Sequence, residues 1–295
     1  MITSIKRSDE DLGGLDTLFD YSARDVESER AVEVSSFNFT ELMSVYERYI
    51  SDENDEYDHV LFPRFVLTPN EINTFTQLTK QYFEHENYIN YTGQFLNGLI
   101  NSSYNANYND FYLNLKGFPA INSLCTLLEG KSDNSVKVNI GGNVGNHFGW
   151  ASKFLTSKID GNTNYFCGYQ SKNLAIHVTG NVCVSFGKRS NNLLTLIEGD
   201  CGPNFGDKSS NMEALIQGNV RLGFARESKN ITAIIEGIIL STTFLVNNAS
   251  NYSFITGNEE NMKHVKKYPK LEFCEDIESH PLHQKITQQL EARFK

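Results

Sequence analysis

Gly180-Asn-Val-Cys-Val-Ser-Phe-Gly187-Lys-Arg-Ser190-Asn-Asn-Leu-Leu-Thr-Leu-Ile197-Glu198, closed by Gly199, is one unit of a nineteen-residue repeat. Gly142, Gly161, Gly180, Gly199, Gly218 and Gly237 all stand nineteen residues apart, and the residues between them fall into columns. One place after each glycine come Asn143, Asn162, Asn181, Asp200 and Asn219. Six places after come Phe148, Cys167, Phe186, Phe205 and Phe224, and ten places after comes a serine in every unit, from Ser152 to Ser228. The last third of each unit alternates, with Leu174, Ile176 and Val178 as one example, so it reads as a strand with one buried face.

A unit this short cannot bury its own apolar face, and it is too short for helical repeats of the roughly 33–47-residue types. Stacked on copies of itself at ~4.8 Å spacing it builds a continuous core, column upon column. The expected fold is therefore a parallel β-solenoid. The glycine and asparagine columns are read as turns, because Gly reaches positive φ freely and Asn tolerates it. Stacked amides can also bond along the coil as a ladder. Phe186, Phe205 and Phe224 are expected to lie over one another inside. On this reading the recurring residues are structural.

Working outward, Thr68, Pro69 and Glu71 form a capping box that starts a helix running to about His85, with Ile72, Phe75, Leu78 and Phe83 buried. A short helix is expected over 91–100 and an amphipathic one over 37–50. Phe111 to Gly117 alternates like a strand, yet Gly117 to Gly142 spans twenty-five residues, so the register is lost there. After Gly237 the pattern decays, as a terminal coil does. A final helix, 281–294, places Ile286 and Leu290 on its apolar side, to cover or leave the exposed end. The expected layout is an acidic, largely disordered arm over 1–60, a helical cap over 61–104, the solenoid over 105–257 and a closing segment over 258–295.

The fragments Gly142-Asn-Val-Gly145-Asn-His-Phe-Gly149 and Gly199-Asp-Cys-Gly202-Pro-Asn-Phe-Gly206 match G-x-x-G-x-x-x-G. With the period, they resemble the GXGXG repeat domain found in glutamate synthase and in formylmethanofuran dehydrogenase. The resemblance implies a right-handed parallel β-helix serving as a packing element, and no catalytic residue carries over from it. The segment from Tyr91 to Asn105, leading into the Asn-rich coils, also looks like a group of archaeal β-solenoid proteins.

The chain has 295 residues, with 36 acidic against 26 basic side chains and a net charge of −10. Residues 1–60 hold 16 acidic and 5 basic of these, so the acid excess sits at one end. That balance argues against a nucleic-acid binder, which needs a basic face. No apolar run suits a membrane span and the first residues carry no secretory signal, so a cytoplasmic location is expected. Five cysteines without a C-x-x-C pair point away from zinc and from a disulfide framework.

Candidate chemistry is sparse. Glu198 and Asp200 flank Gly199 as a carboxylate pair that could serve glycoside hydrolysis, but five units of identical length leave no loop to wall a cleft, which favours solvated surface. Trp150 and Tyr169 share the column eight places after the glycine and form a candidate exposed aromatic pair. His280 and His283, with Glu275 or Asp276, are a sparse metal set. No cofactor, catalytic group or metal is assigned. The expected role is a non-catalytic solenoid that binds a protein partner, with self-association through its ends as a further contact. The alternatives are an accessory subunit of an oxidoreductase or amidotransferase, and a carbohydrate-binding or carbohydrate-acting protein using Trp150, Tyr169, Glu198 and Asp200.

Overall fold

The computed structural model describes residues 38–51, 65–240, 250–262 and 271–294. Of the expected disordered arm over 1–60, residues 1–37 and 52–60 lie outside them. Nine strands form a single parallel sheet in chain order: β1 (Asp110–Asn114), β2 (Val136–Gly141), β3 (Lys153–Asp160), β4 (Lys172–Val178), β5 (Asn191–Ile197), β6 (Ser210–Ile216), β7 (Lys229–Ile235), β8 (Ser250–Thr256) and β9 (Leu271–Phe273). Like stacks on like. Leu174 pairs with Leu193, Leu193 with Met212 and Met212 with Ile231. A second, thinner ladder of parallel bridges runs Val144, Thr163, Val182, Cys201, Val220 and Ile239. This is a β-solenoid. Its core is columnar, with Phe186 over Phe205 and Phe205 over Phe224 at 5.1 and 5.2 Å between ring centroids.

The two glycine columns do different work. At Gly199, a Cβ would lie 2.6 Å from the backbone of Gly180 in the coil before, so this column exists to let coils approach. Seven places on, Gly187 takes φ +61, so that column supplies the left-handed turn. Ala225 holds the same turn at φ +50 where the glycine run breaks. The buried serines brace these turns. Ser190 Oγ donates to the Gly187 carbonyl at 2.6 Å, whereas Ser228, lacking that glycine, donates to Gly206 O instead.

The asparagines at the first column act chiefly through the next coil's backbone. Asn181 Oδ1 accepts the N–H of Asp200 at 2.7 Å, and Asp200 Oδ1 accepts that of Asn219 at 2.7 Å. Only an acceptor oxygen is needed there, which is why an aspartate fits the run. One amide-to-amide bond stands in this column, from Asn162 Nδ2 to Asn143 Oδ1 at 3.0 Å, but the longer ladder lies twelve places after the glycine: Asn173, Asn192, Asn211 and Asn230, continued by Asn251. All five have φ between +52 and +60. Asn192 Nδ2 donates to Asn173 Oδ1 at 2.6 Å, Asn230 to Asn211 at 2.8 Å and Asn251 to Asn230 at 2.8 Å.

Among the described residues, three helices precede the sheet: α1 (Phe39–Ser51), α2 (Pro69–Leu78) and α3 (Tyr88–Asn105). The Thr68–Glu71 capping box is present at the start of α2. That helix ends at Leu78, short of the expected His85, and a 3-10 turn (Thr79–Tyr82) follows. Leu78 is exposed, because Thr76 and Thr79 turn inward to bond the helix's own carbonyls. In the other direction α3 outruns the expected 91–100. Tyr46 joins the helices, its ring edge-on to Phe75 and Phe95 and its hydroxyl 2.7 Å from Thr92 Oγ1.

The helices close the first edge of the sheet with side-chain amides. Asn73 Oδ1 accepts the N–H of Asn114 at 2.9 Å, and Gln77 Nε2 donates to the Asn114 carbonyl at 2.7 Å. Asn97 does the same for the turn below, donating to Ser123 O and accepting from Cys125 N. Thus two helices satisfy backbone groups that a preceding coil would otherwise take, which blunts an edge prone to pairing.

The last helix, α4 (Pro281–Phe294), buries Ile286 and Leu290, as its apolar spacing requires. It lies on the flank of the solenoid against β3, β5 and β6 and not across the end. The cause is a column that the alternation rule conceals. Leu196, Leu215 and Ile234 point outward, yet all are fully buried. The central strands are thus covered on both faces, as parallel strands generally are.

Candidate functional site

Three surfaces carry the polar and aromatic groups of interest. The first is the corner at Gly199. Glu198 Oε1 lies 2.7 Å from His177 Nε2, and the imidazole is fully buried under the last turn of α4, its ring 6.1 Å from that of Phe294. Burial pushes the His177 pKa below its ordinary value, and the Glu198 carboxylate recovers only part of that shift. Asp200, across the glycine, is occupied by the Asn219 N–H. The two carboxylates flanking Gly199 therefore have separate structural partners.

The second surface is the turn between the bridge ladder and β-strand of each coil. Trp150 and Tyr169 belong here to one four-ring cluster. His147 and Phe166 stack at 5.3 Å with planes 4° apart, Trp150 leans on His147 at 5.6 Å, and Tyr169 leans on Phe166 at 5.6 Å. Arg189 donates to the Tyr169 hydroxyl at 3.1 Å, and Trp150 Nε1 donates to Gln170 Oε1. The same column eight places after the glycine then becomes ionic. Asp207 is buried between Lys188, 3.0 Å away, and Arg226, 3.1 Å away. Burial opposes its ionisation, but the hydrogen bonds and charges of Arg226 and Lys188 prevail and hold its carboxyl below the usual range.

Beside the cluster runs an apolar strip that the sequence did not single out: Tyr165, Val184, Pro203 and Leu222, one per coil. Tyr165 is 48% exposed and Leu222 43%, with Leu240 at 55% beside them. Backbone bonds lock the strip in register, from Phe166 N to Val184 O, from Ser185 N to Pro203 O and from Asn204 N to Leu222 O. The nineteen-residue spacing of these four was visible in the sequence, but their chemical variety hid the column.

The third surface is a trough of about 480 Å³ between α4 and the outer face of β4–β8. The asparagine ladder forms one wall, and Gln289, Ala292 and Arg293 of α4 form the other. From Asn173 to Asn230 its amides recur every nineteen places, yet the amide at the start of each strand reads as turn chemistry until the coil is closed. At the start of α4, His283 is buried 3.7 Å from Glu236, while His280 Nδ1 accepts the Leu282 N–H. Among the described residues, no group of three or more His, Cys, Asp or Glu is arranged to hold a metal, and no helix is long and apolar enough to cross a membrane.

Comparison with protein-family models, curated proteins and solved structures finds no match to this chain.

Proposed function

We propose that this chain is a non-catalytic docking module that binds a protein partner along the strip Tyr165–Val184–Pro203–Leu222. The observation that carries the reading is the strip itself. Apolar side chains recur at one corner of successive coils, on a backbone held by the coil's own hydrogen bonds, and they reach solvent. A contiguous apolar patch rimmed by polar groups is what interaction sites present. Arg221 precedes Leu222 directly in the chain, and an aromatic cluster stands at one end, where Arg189 donates to the Tyr169 hydroxyl. Aromatic and arginine side chains of this kind anchor interfaces. A rigid strip also loses little conformational freedom on binding.

The resemblance to GXGXG repeats supports the same mode of action, in which the chain serves as an accessory subunit of an oxidoreductase or amidotransferase complex through this corner. Five free cysteines, three of them buried, suit a reducing cytoplasmic setting. The test is recovery from native cells. A stoichiometric partner retained by the wild-type chain, and lost with Tyr165→Ser/Leu222→Ser at unchanged melting temperature, supports the reading. Absence of a stoichiometric partner, or retention by the double variant, contradicts it.

A further inference from the structure

The trough between α4 and the sheet has features that packing alone does not require. Asn173, Asn192, Asn211, Asn230 and Asn251 line it over five coils, a length of about 19 Å at the rung spacing of a sheet. Each ladder bond uses one N–H of an amide, so the second N–H and a lone pair remain for a ligand. The floor mixes Ala175 and Leu194 with Glu213 and Thr232, and Tyr252 stands toward the β8 end. Two acceptors at the trough, Glu213 Oε2 and Gln289 Oε1, are buried without a hydrogen-bond donor. The other oxygen of Glu213 is taken by Lys285 Nζ at 2.7 Å, which fixes the carboxylate in place. An acceptor left without a donor is costly, so a ligand group that reaches and donates to either oxygen is favoured there.

We infer that this trough binds a linear, uncharged oligosaccharide. Hydroxyl groups both donate and accept, which matches a wall of half-used amides and two acceptors lacking donors. An extended peptide fits less well. Its same-face side chains repeat at about 6.6 Å and fall out of step with rungs near 4.8 Å. The volume falls in the range of small-ligand sites. The trough is distinct from the corner strip, so either assignment stands without the other.

The test is a glycan array of linear neutral oligosaccharides of three to six units, probed with the full chain, followed by calorimetry on the best binder. The probe variants are Gln289→Ala, on the helix wall, and Asn211→Gly, which keeps the left-handed turn while removing the amide. Binding by the wild-type chain, weakened at least tenfold by each variant at unchanged melting temperature, is the expected result. It should also be unaffected by Tyr165→Ser/Leu222→Ser. No binder on the array, or a best binder indifferent to both variants, overturns the assignment.

Discussion

Phe205 lies 5.1 Å from Phe186, ring centroid to centroid, with their planes 9° apart, although nineteen residues separate them in the chain. This is the sheet spacing transmitted to side chains. Each ring fills the space above the last, and the column continues through Phe224 to end edge-on against Phe254 at 5.4 Å. Truncation in mid-column leaves a void bounded by two stiff neighbours that cannot collapse into it. Phe205→Ala should cost about 3–5 kcal/mol in urea unfolding, the upper end for buried aromatics. Phe148→Ala, next to the smaller Cys167, should cost less.

The division of labour between glycine columns predicts unequal responses to one methyl group. In Gly199→Ala the new Cβ meets Gly180 backbone and Asn181 Oδ1, both at 2.6 Å, and neither yields easily. In Gly187→Ala the clash is with Leu193 Cδ2 at 2.5 Å, the far end of a side chain, and the left-handed turn adds about 1–2 kcal/mol. Ala225 already occupies the equivalent place. Both variants should destabilise, Gly199→Ala the more, by about 3 kcal/mol or beyond. Paired denaturation curves measure the order.

Asp200 in an asparagine column is explained by the bond it accepts. Asp200→Asn retains the acceptor for Asn219 N–H and should leave stability within about 0.5 kcal/mol. Asp200→Ala strands that N–H and should cost about 1–3 kcal/mol. A shared loss in both variants would show that the charge, and not the acceptor, matters.

Among the described residues, Asp207 and His177 both have their ionisation shifted downward. The Asp207 carboxyl ionises below its ordinary range, so around pH 4 the unfolded chain holds more protons than the folded one. The stability it confers is complete above about pH 5 and drains as the pH falls through the folded value. His177 is also depressed, by burial, so the unfolded chain again binds the extra proton once the pH falls below about 7. Stability should therefore decline from neutral pH downward, with a second loss below about pH 4. His177→Leu, matching Leu196 and Leu215 in the same outward column, should flatten the first decline. Asp207→Asn should flatten the second. Melting temperature against pH for the three proteins separates the two.

Much of the architecture was legible because a coil enforces its period on every column that packs. The glycines, the phenylalanines, the inward strand positions and the apolar side of α4 could all be read from spacing. Leu196, Leu215 and Ile234 misled, since alternation assigns them to solvent and only the docked helix reveals why they are apolar. The roles of Asn181 and Asn192 were similarly hidden. Both recur every nineteen places, but one bonds backbone and the other bonds its own kind, a distinction made by backbone φ and not by residue type. The corner strip was missed because a surface column need keep no common chemistry, and Tyr165, Val184, Pro203 and Leu222 share only their exposure to one corner.

The most direct test of the docking assignment is a photo-crosslinking amino acid placed at Leu222 in one form of the protein and at Glu198 in another, expressed in native cells. The account predicts a discrete adduct with a protein partner from position 222 and none from position 198. An adduct from 198 alone, or from neither, contradicts it.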